Sequence, residues 1–237
     1  MKKTIGILGG MGPEATAYFY EQIVQQTRAE TDQDHIKVII YSNPEIPPRT
    51  DAILRKGPSP TPLLVEGFQR LKDAGADFVV MPCVTAHYFY PEIKDQVNIP
   101  FVSLLDESVQ WAQEEIPGLR KAGLVASTGT LESRLLHDIF NQSGIEVIIP
   151  EEDEQNQVME AIFGPKGIKA GFISGFSKET LVNIAKVVVA RGADAIIAGC
   201  TEVPLVLKER DIPVPLIEPL RIAARACIIK AGYETKD

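Results

Sequence analysis

The chain carries no excess of positive charge. Its 237 residues hold 24 Lys and Arg against 32 Asp and Glu, a formal net charge of −8. That excludes the basic face nucleic-acid binding needs and the polybasic attachment anionic lipid needs. No run approaches the ~18 apolar residues of a membrane span. Lys2 and Lys3 lead into only a short apolar stretch, Ile5 to Gly9, which is too little for the core of an export signal. Cysteine is scarce: Cys83, Cys200 and Cys227 form an odd set with no metal-ligand spacing and no histidine pair nearby. These shortages predict a soluble, cytoplasmic protein without a membrane or nucleic-acid partner, without a metal, and with reduced thiols.

What is present is enough hydrophobic residue for a substantial core, 45% of the chain. Eight short β-branched runs predict strands at 4–8, 37–41, 77–81, 100–102, 122–126, 146–149, 195–198 and 214–217. Helical patterns lie between them. Pro13 opens one whose stripe is Ala15, Phe19 and Ile23; Leu64, Phe68 and Leu71 mark a second. Ser177 is placed as the cap of a third, with Leu181, Ile184 and Val188 facing inward. Near-continuous apolar strands alternating with helices predict an α/β fold with parallel sheets covered on both faces.

The chain also repeats itself. Gly6 to Gly12 and Gly123 to Gly129 are glycine-bearing strand-to-turn segments starting 117 residues apart. Gly75-Ala76-Asp77 before Cys83 and Gly192-Ala193-Asp194 before Cys200 keep the same 117-residue offset. Ile99-Pro100 and Val214-Pro215 follow at nearly that spacing. The repeat predicts two pseudo-symmetric α/β domains, each with a four-stranded, mainly parallel sheet flanked by helices. The first spans 1–103 plus 218–237 and carries Cys83; the second spans 104–217 and carries Cys200. Ligands of such sheets bind outside the carboxyl ends of the strands, so both cysteines are expected on one cleft.

Each of these cysteines closes an apolar strand ahead of an expected helix start, Thr85 onward and Thr201 onward. A helix N-terminus lowers a thiol pKa, and both thiols are expected to be activated in this way. Two thiols on opposite sides of one carbon suit the inversion of a carbon acid: one takes a proton while the other gives one. Sulfurs that each approach a shared carbon stand roughly 7 Å apart, unlike a redox pair. Cys227 lies in a helical pattern and is assigned to the core. His87, four residues after Cys83, is either a tuner of the thiol or a helix-end histidine bonded to backbone. Glu202, two after Cys200, opposes a thiolate unless it is itself protonated. His35 and His137 are read as surface residues.

Cys83-Val84-Thr85-Ala86-His87 and Gly199-Cys200-Thr201-Glu202, with the opening Gly6-Ile7-Leu8-Gly9-Gly10-Met11-Gly12-Pro13-Glu14, resemble the aspartate/glutamate racemase family, its aspartate branch in particular. Further matching segments are Asn43 to Thr50, Ala126 to Thr130 and Ile168 to Gly171, so the likeness spans essentially the whole chain. The resemblance implies racemisation without a cofactor by Cys83 and Cys200 as acid/base pair, commonly in a homodimer. It also implies that Arg49 holds a substrate side-chain carboxylate through a bidentate fork. Lys169 would bind substrate; Val84, Thr85, Ala86 and Thr201 would offer donors near the cysteines; Met11 and Thr130 would line the pocket. One departure stands out: the family usually has Asn after the first cysteine, and Val84 stands there, which points to a less polar pocket and a shifted substrate preference.

The implied reaction interconverts L- and D-aspartate or a related acidic amino acid. The alternatives are glutamate or a broader range of amino acids, a thiol-based decarboxylase or isomerase of the same superfamily, and a non-catalytic acidic amino-acid binding protein. Gly10-Met11-Gly12 with Ala15 fits a dinucleotide fingerprint formally. That fingerprint wants an acid ending the second strand, and the run there is Tyr41-Ser42-Asn43.

Overall fold

The computed structural model describes residues 2–236 in two compact units, one built from the chain up to Glu107 together with Leu220 onward, the other from Ser108–Pro219. The first unit contains β1 (Ile5–Gly9), α1 (Pro13–Gln26), β2 (Val38–Ser42), α2 (Arg49–Ile53), α3 (Thr61–Asp73) and β3 (Phe78–Val80). A 3-10 turn at Val84–Phe89, α4 (Tyr90–Ile93) and β4 (Phe101–Val102) complete its sheet layer. Helix α5 (Leu104–Glu115) carries the chain onward to β5 (Lys121–Val125), α6 (Thr128–Ser133), α7 (Leu135–Gln142) and β6 (Glu146–Ile148). Then come α8 (Glu152–Phe163), α9 (Phe176–Ala190), β7 (Ala195–Ala198), α10 (Val203–Val206) and β8 (Leu216–Ile217). Helix α11 (Pro219–Lys230) returns to the first unit.

Both sheets are four-stranded and parallel, in the orders β2-β1-β3-β4 and β6-β5-β7-β8. The fold is α/β, and all eight expected strands are present with ends moved by a residue or two. Each sheet runs from its first strand to one side and then crosses to the other. That leaves a switch point between β1 and β3 and another between β5 and β7. The segments that follow these four strands carry Met11, Cys83, Thr130 (in the first turn of α6) and Cys200.

The repeated Gly-Ala-Asp has a structural cause. Gly75 and Gly192 take φ of 94° and 100°, which turns the chain from helix into strand at no steric cost. Thr4 N–H donates to Asp77 Oδ2 at 2.7 Å while Asp77 N–H donates to Thr4 O at 2.9 Å. In the second unit Lys121 N–H donates to Asp194 Oδ2 at 3.1 Å, and Asp194 N–H to Lys121 O at 2.8 Å. Each aspartate therefore fixes the start of its central strand pair. The alanine between meets a strand glycine: a Cβ on Gly6 would lie 2.9 Å from Ala76 Cβ, and one on Gly123 would lie 3.3 Å from Ala193 Cβ.

The expected helix stripes are buried. Leu64, Phe68 and Leu71 of α3 pack in the first unit's core, and Leu181, Ile184 and Val188 of α9 in the second's. Full burial of each such side chain stabilises by about 1.5–3 kcal/mol. Ser177 does not cap α9. Gly175 holds that position, and the buried Ser177 hydroxyl donates to Lys166 O at 3.0 Å. Cys227 is buried in α11, where desolvation pushes its thiol pKa up. His137 is buried on α7 rather than exposed, and desolvation lowers its pKa. No described helix is long and apolar enough to cross a membrane.

Gly123→Ala tests the strand–helix contact, because the new Cβ would meet Val188 Cγ1 at 2.4 Å and Ile196 Cδ1 at 2.7 Å. Overpacking of this kind costs about 1–3 kcal/mol. Thermal unfolding should show a Tm lowered by several degrees. The added Val188→Ala should recover part of the loss, because the two changes share one contact.

Candidate active site

At the end of β1, Gly10 takes φ 92°, and a Cβ there would fall 2.4 Å from the Asn43 carbonyl carbon. Gly10 N–H donates to Thr16 Oγ1 at 2.9 Å, and that hydroxyl donates to Gly12 O at 2.8 Å. The glycine run thus serves close packing of the β1–α1 turn against the end of β2. The same turn positions Met11, whose carbonyl accepts from Arg49 Nη2 at 2.9 Å. Arg49, the first residue of α2, also donates from Nη1 to Ile46 O at 2.9 Å and Pro47 O at 2.8 Å. Three of its five N–H donors are thereby committed, and its buried Nε has no partner.

Beyond β3, Cys83 is the cap residue of the 3-10 turn. Its Sγ lies 3.4 Å from Thr85 Oγ1, so the Thr85 hydroxyl touches the sulfur. Val84 and Ala86 are buried within the turn and offer only backbone polar groups. His87 is buried with both ring nitrogens on backbone: Nδ1 lies 2.9 Å from Cys83 O, and Nε2 accepts from Leu104 N–H at 3.0 Å. Because Nε2 accepts and a carbonyl only accepts, the ring is the neutral Nδ1–H tautomer. Desolvation lowers its pKa to about 4. His87 is therefore a strut joining the Cys83 turn to the first residue of α5; its nitrogens have no contact with the thiol.

In the second unit the expected helix after Cys200 is a single turn, α10, and its cap residue is Glu202. The buried Cys200 thiol donates to Glu202 Oε2 at 2.9 Å, and the buried Thr201 hydroxyl reaches the same oxygen at 3.3 Å. Lys169 Nζ pairs with Glu202 Oε1. The Glu202 side chain is only 4% exposed, against 26% for Lys169. Burial, and next the negative charge of Glu202, push the Cys200 thiol well above the usual thiol range, with Lys169 opposing. This overturns the expectation that a helix end activates both thiols. One turn supplies little dipole, and the carboxylate beside the sulfur favours S–H.

The buried Thr130 hydroxyl donates to Gly199 O at 3.4 Å and lies 3.2 Å from Ser127 Oγ, which ties the β5 turn to the residue before Cys200. Two further residues that contact this turn had no signal in the sequence. Gln155 Nε2 donates to Ala126 O at 3.0 Å and to Thr128 Oγ1 at 3.2 Å, and Thr128 N–H lies 3.2 Å from Met159 Sδ. Both come from α8, some 30 residues away in sequence, where periodicity marks only the buried Val158, Ala161 and Ile162. No group of three or more His, Cys, Asp or Glu among the described residues is placed to hold a metal.

Two four-stranded parallel sheets of matching strand order, flanked by helices, match the α/β architecture of racemase structures. The protein is similar to Picrophilus torridus aspartate racemase, with a TM-score of 0.88 and 29% identity over 99% of this chain and 96% of that one. It is also similar to glutamate racemase from Francisella tularensis, whose structure contains D-glutamate. That likeness, with a TM-score of 0.69 and 16% identity over 100% of this chain and 84% of that one, is one of fold. The Asp/Glu/hydantoin racemase model matches residues 8–227, and the chain belongs to that family. A broad-specificity amino-acid racemase of Bacillus subtilis is 28% identical over 98% of this chain and 97% of its own length.

Two measurements check these environments. The unfolded chain binds a proton at His87 near pH 6.5, but the folded protein only near about 4. Stability is therefore full above pH 6.5 and lost as pH falls through that window, by about 2–3 kcal/mol. His87→Asn removes this loss, so urea unfolding at pH 7 and pH 4.5 should show the wild-type advantage shrinking in acid. For Cys200, alkylation by iodoacetamide in a Cys83→Ser background should have its pH midpoint above the ordinary thiol value of about 8.5. In Glu202→Gln that midpoint should move down.

Proposed function

We propose that the protein is a cofactor-independent amino-acid racemase acting on aspartate or a related acidic amino acid, with Cys83 and Cys200 as the proton-transfer pair. The observation that carries this reading is the Cys200–Glu202–Lys169 arrangement, which holds one strand-end thiol as a proton donor. The Cys83 thiolate takes the α-proton of one enantiomer and becomes a thiol. The carbanion, its charge spread onto the α-carboxylate, takes the Cys200 S–H proton on the opposite face. Cys200 is left as thiolate, and turnover of the other enantiomer returns both groups to their starting forms. Lys169 offsets the Glu202 charge while Cys200 is ionised. Thr85 hydrogen-bonds the Cys83 sulfur, and His87 positions the Cys83 turn.

Arg49 fits a carboxylate anchor because its buried Nε–H lacks an acceptor and one Nη2 hydrogen remains. Met11 and Thr130 set the shape of the turns, and Val84, Ala86 and Thr201 supply backbone and hydroxyl donors beside the sulfurs. A second reading, racemisation over a broader set of amino acids, is favoured by two features. Val84 removes a polar side chain, and Lys169 is already paired with Glu202 rather than held for a substrate carboxylate.

Purified protein in deuterated water, given L-aspartate and no pyridoxal phosphate, should form D-aspartate labelled at the α-carbon. Cys83→Ser and Cys200→Ser should each lower the rate at least about 100-fold, the scale of a lost general acid or base. If no α-deuterium enters aspartate, glutamate or any amino acid of a wider panel, the racemase reading fails.

A further inference from the structure

Between Lys169 and α9 the chain presents apolar side chains to water. Phe172 is 49% exposed, Ile173 55% and Phe176 49%, and Phe163 at the end of α8 is 45% exposed. Large apolar side chains gathered in one exposed stretch mark a surface that something covers. The segment's two ends are anchored. On the Lys169 side, Ile168 is fully buried in the second unit's core, and Phe172 N–H returns to Gly167 O at 3.2 Å. On the α9 side, the buried Ser177 hydroxyl holds Lys166 O at 3.0 Å. Both ends thus fasten to the same short stretch, 166–168, and the residues between them form a compact loop.

Two glycines bracket the middle of the loop. Gly171 takes φ 90° and Gly175 φ 61°, and a Cβ at either would meet nothing within 4 Å. The glycines therefore serve their positive φ rather than close packing, and glycine is the residue that passes between such conformations at least cost. Ile173 and Ser174, between them, make no hydrogen bond among the described residues. Just ahead of the loop lies Lys169, the exposed end of the chain of contacts that runs through buried Glu202 to buried Cys200. Lys169 Nζ also sits 5.6 Å from the Phe163 ring centroid, so apolar surface already flanks the charge. Proton transfer to and from a weakly acidic carbon gains from excluding water, and a hinged apolar loop is the element that does so.

We propose that 171–175 is a flap hinged at Gly171 and Gly175, and that Phe172 and Ile173 close over the Lys169–Glu202–Cys200 group when an amino acid is bound. The proposal rests on the racemase reading above. Closed, the flap would shield Lys169 from solvent and strengthen its pairing with Glu202 in the lower dielectric.

The chain has one tryptophan, Trp111, so Trp111→Phe with Phe172→Trp places the only indole on the flap. Aspartate, or its unreactive deamino analogue succinate, should change that emission saturably, with a half-point matching KM or Ki. In the otherwise unaltered chain, Phe172→Ser with Ile173→Ser should lower kcat/KM about tenfold or more. It should also speed trypsin cleavage at Lys169 in the presence of aspartate, because the open flap no longer protects it. Unchanged emission at saturating ligand in a protein that still racemises would overturn the flap, as would serine variants with wild-type kcat and KM. Emission that follows protein dilution instead of ligand would assign the segment to contact between copies and overturn it too. If the wild-type chain exchanges no α-proton with solvent, the racemase reading falls first, and that is seen before any flap variant is made.

Discussion

Where β3 sits against β1, and β7 against β5, decides where each cysteine is held. The pairing is one in which a single-residue slip turns every side chain to the opposite face of the sheet. Asp77 on Thr4 and Asp194 on Lys121 prevent that slip by bonding the backbone at the entry of each pair. Gly6 against Ala76 and Gly123 against Ala193 leave no room for a shifted, larger neighbour. With the starts fixed and the strands only three to five residues long, the exits are fixed as well. Cys83 and Cys200 leave equivalent strands at equivalent points because the same clamp was built twice.

Much of this is legible in the amino-acid sequence alone. Eight β-branched runs form eight strands, and the stripes Leu64, Phe68, Leu71 and Leu181, Ile184, Val188 form core, because period and burial are local properties of a sequence. The matched placement of the two cysteine turns is also visible, through the internal repeat. Their environments are not. His87 meets Leu104, seventeen residues on, and Gln155 meets Ala126, twenty-nine residues back. Such pairings are made by the fold and leave no pattern along the chain. Ser177 shows the same limit on a smaller scale. A serine at a helix start reads as a cap, but here a glycine ahead of it takes that place and the hydroxyl turns inward to Lys166.

Duplication copied the scaffold but not the chemistry. The first unit's sulfur meets a hydroxyl, Thr85, which either gives or takes a hydrogen bond. The second unit's sulfur meets a carboxylate, Glu202, itself neutralised by Lys169. His87 braces the first turn through backbone, whereas the Thr130 hydroxyl, on Gly199, braces the second. One cysteine turn is thus held by an uncharged network and the other by a charged one. That difference, set on near-identical strands, is what gives the two thiols separate characters.

The unlike partners of the two sulfurs have a thermodynamic corollary. Mirror-image amino acids have the same free energy in water, so their interconversion has an equilibrium constant of one however lopsided the catalyst. In the two-thiol reaction proposed above, stabilising S–H at Cys200 through Glu202 would therefore leave the ratio of the two enantiomers' kcat/KM values at unity. It would be expressed instead as matched inequalities, the enantiomer turned over faster being also the one held more loosely. Built-in handedness of this kind would set how full the protein is with each enantiomer while leaving the final mixture untouched.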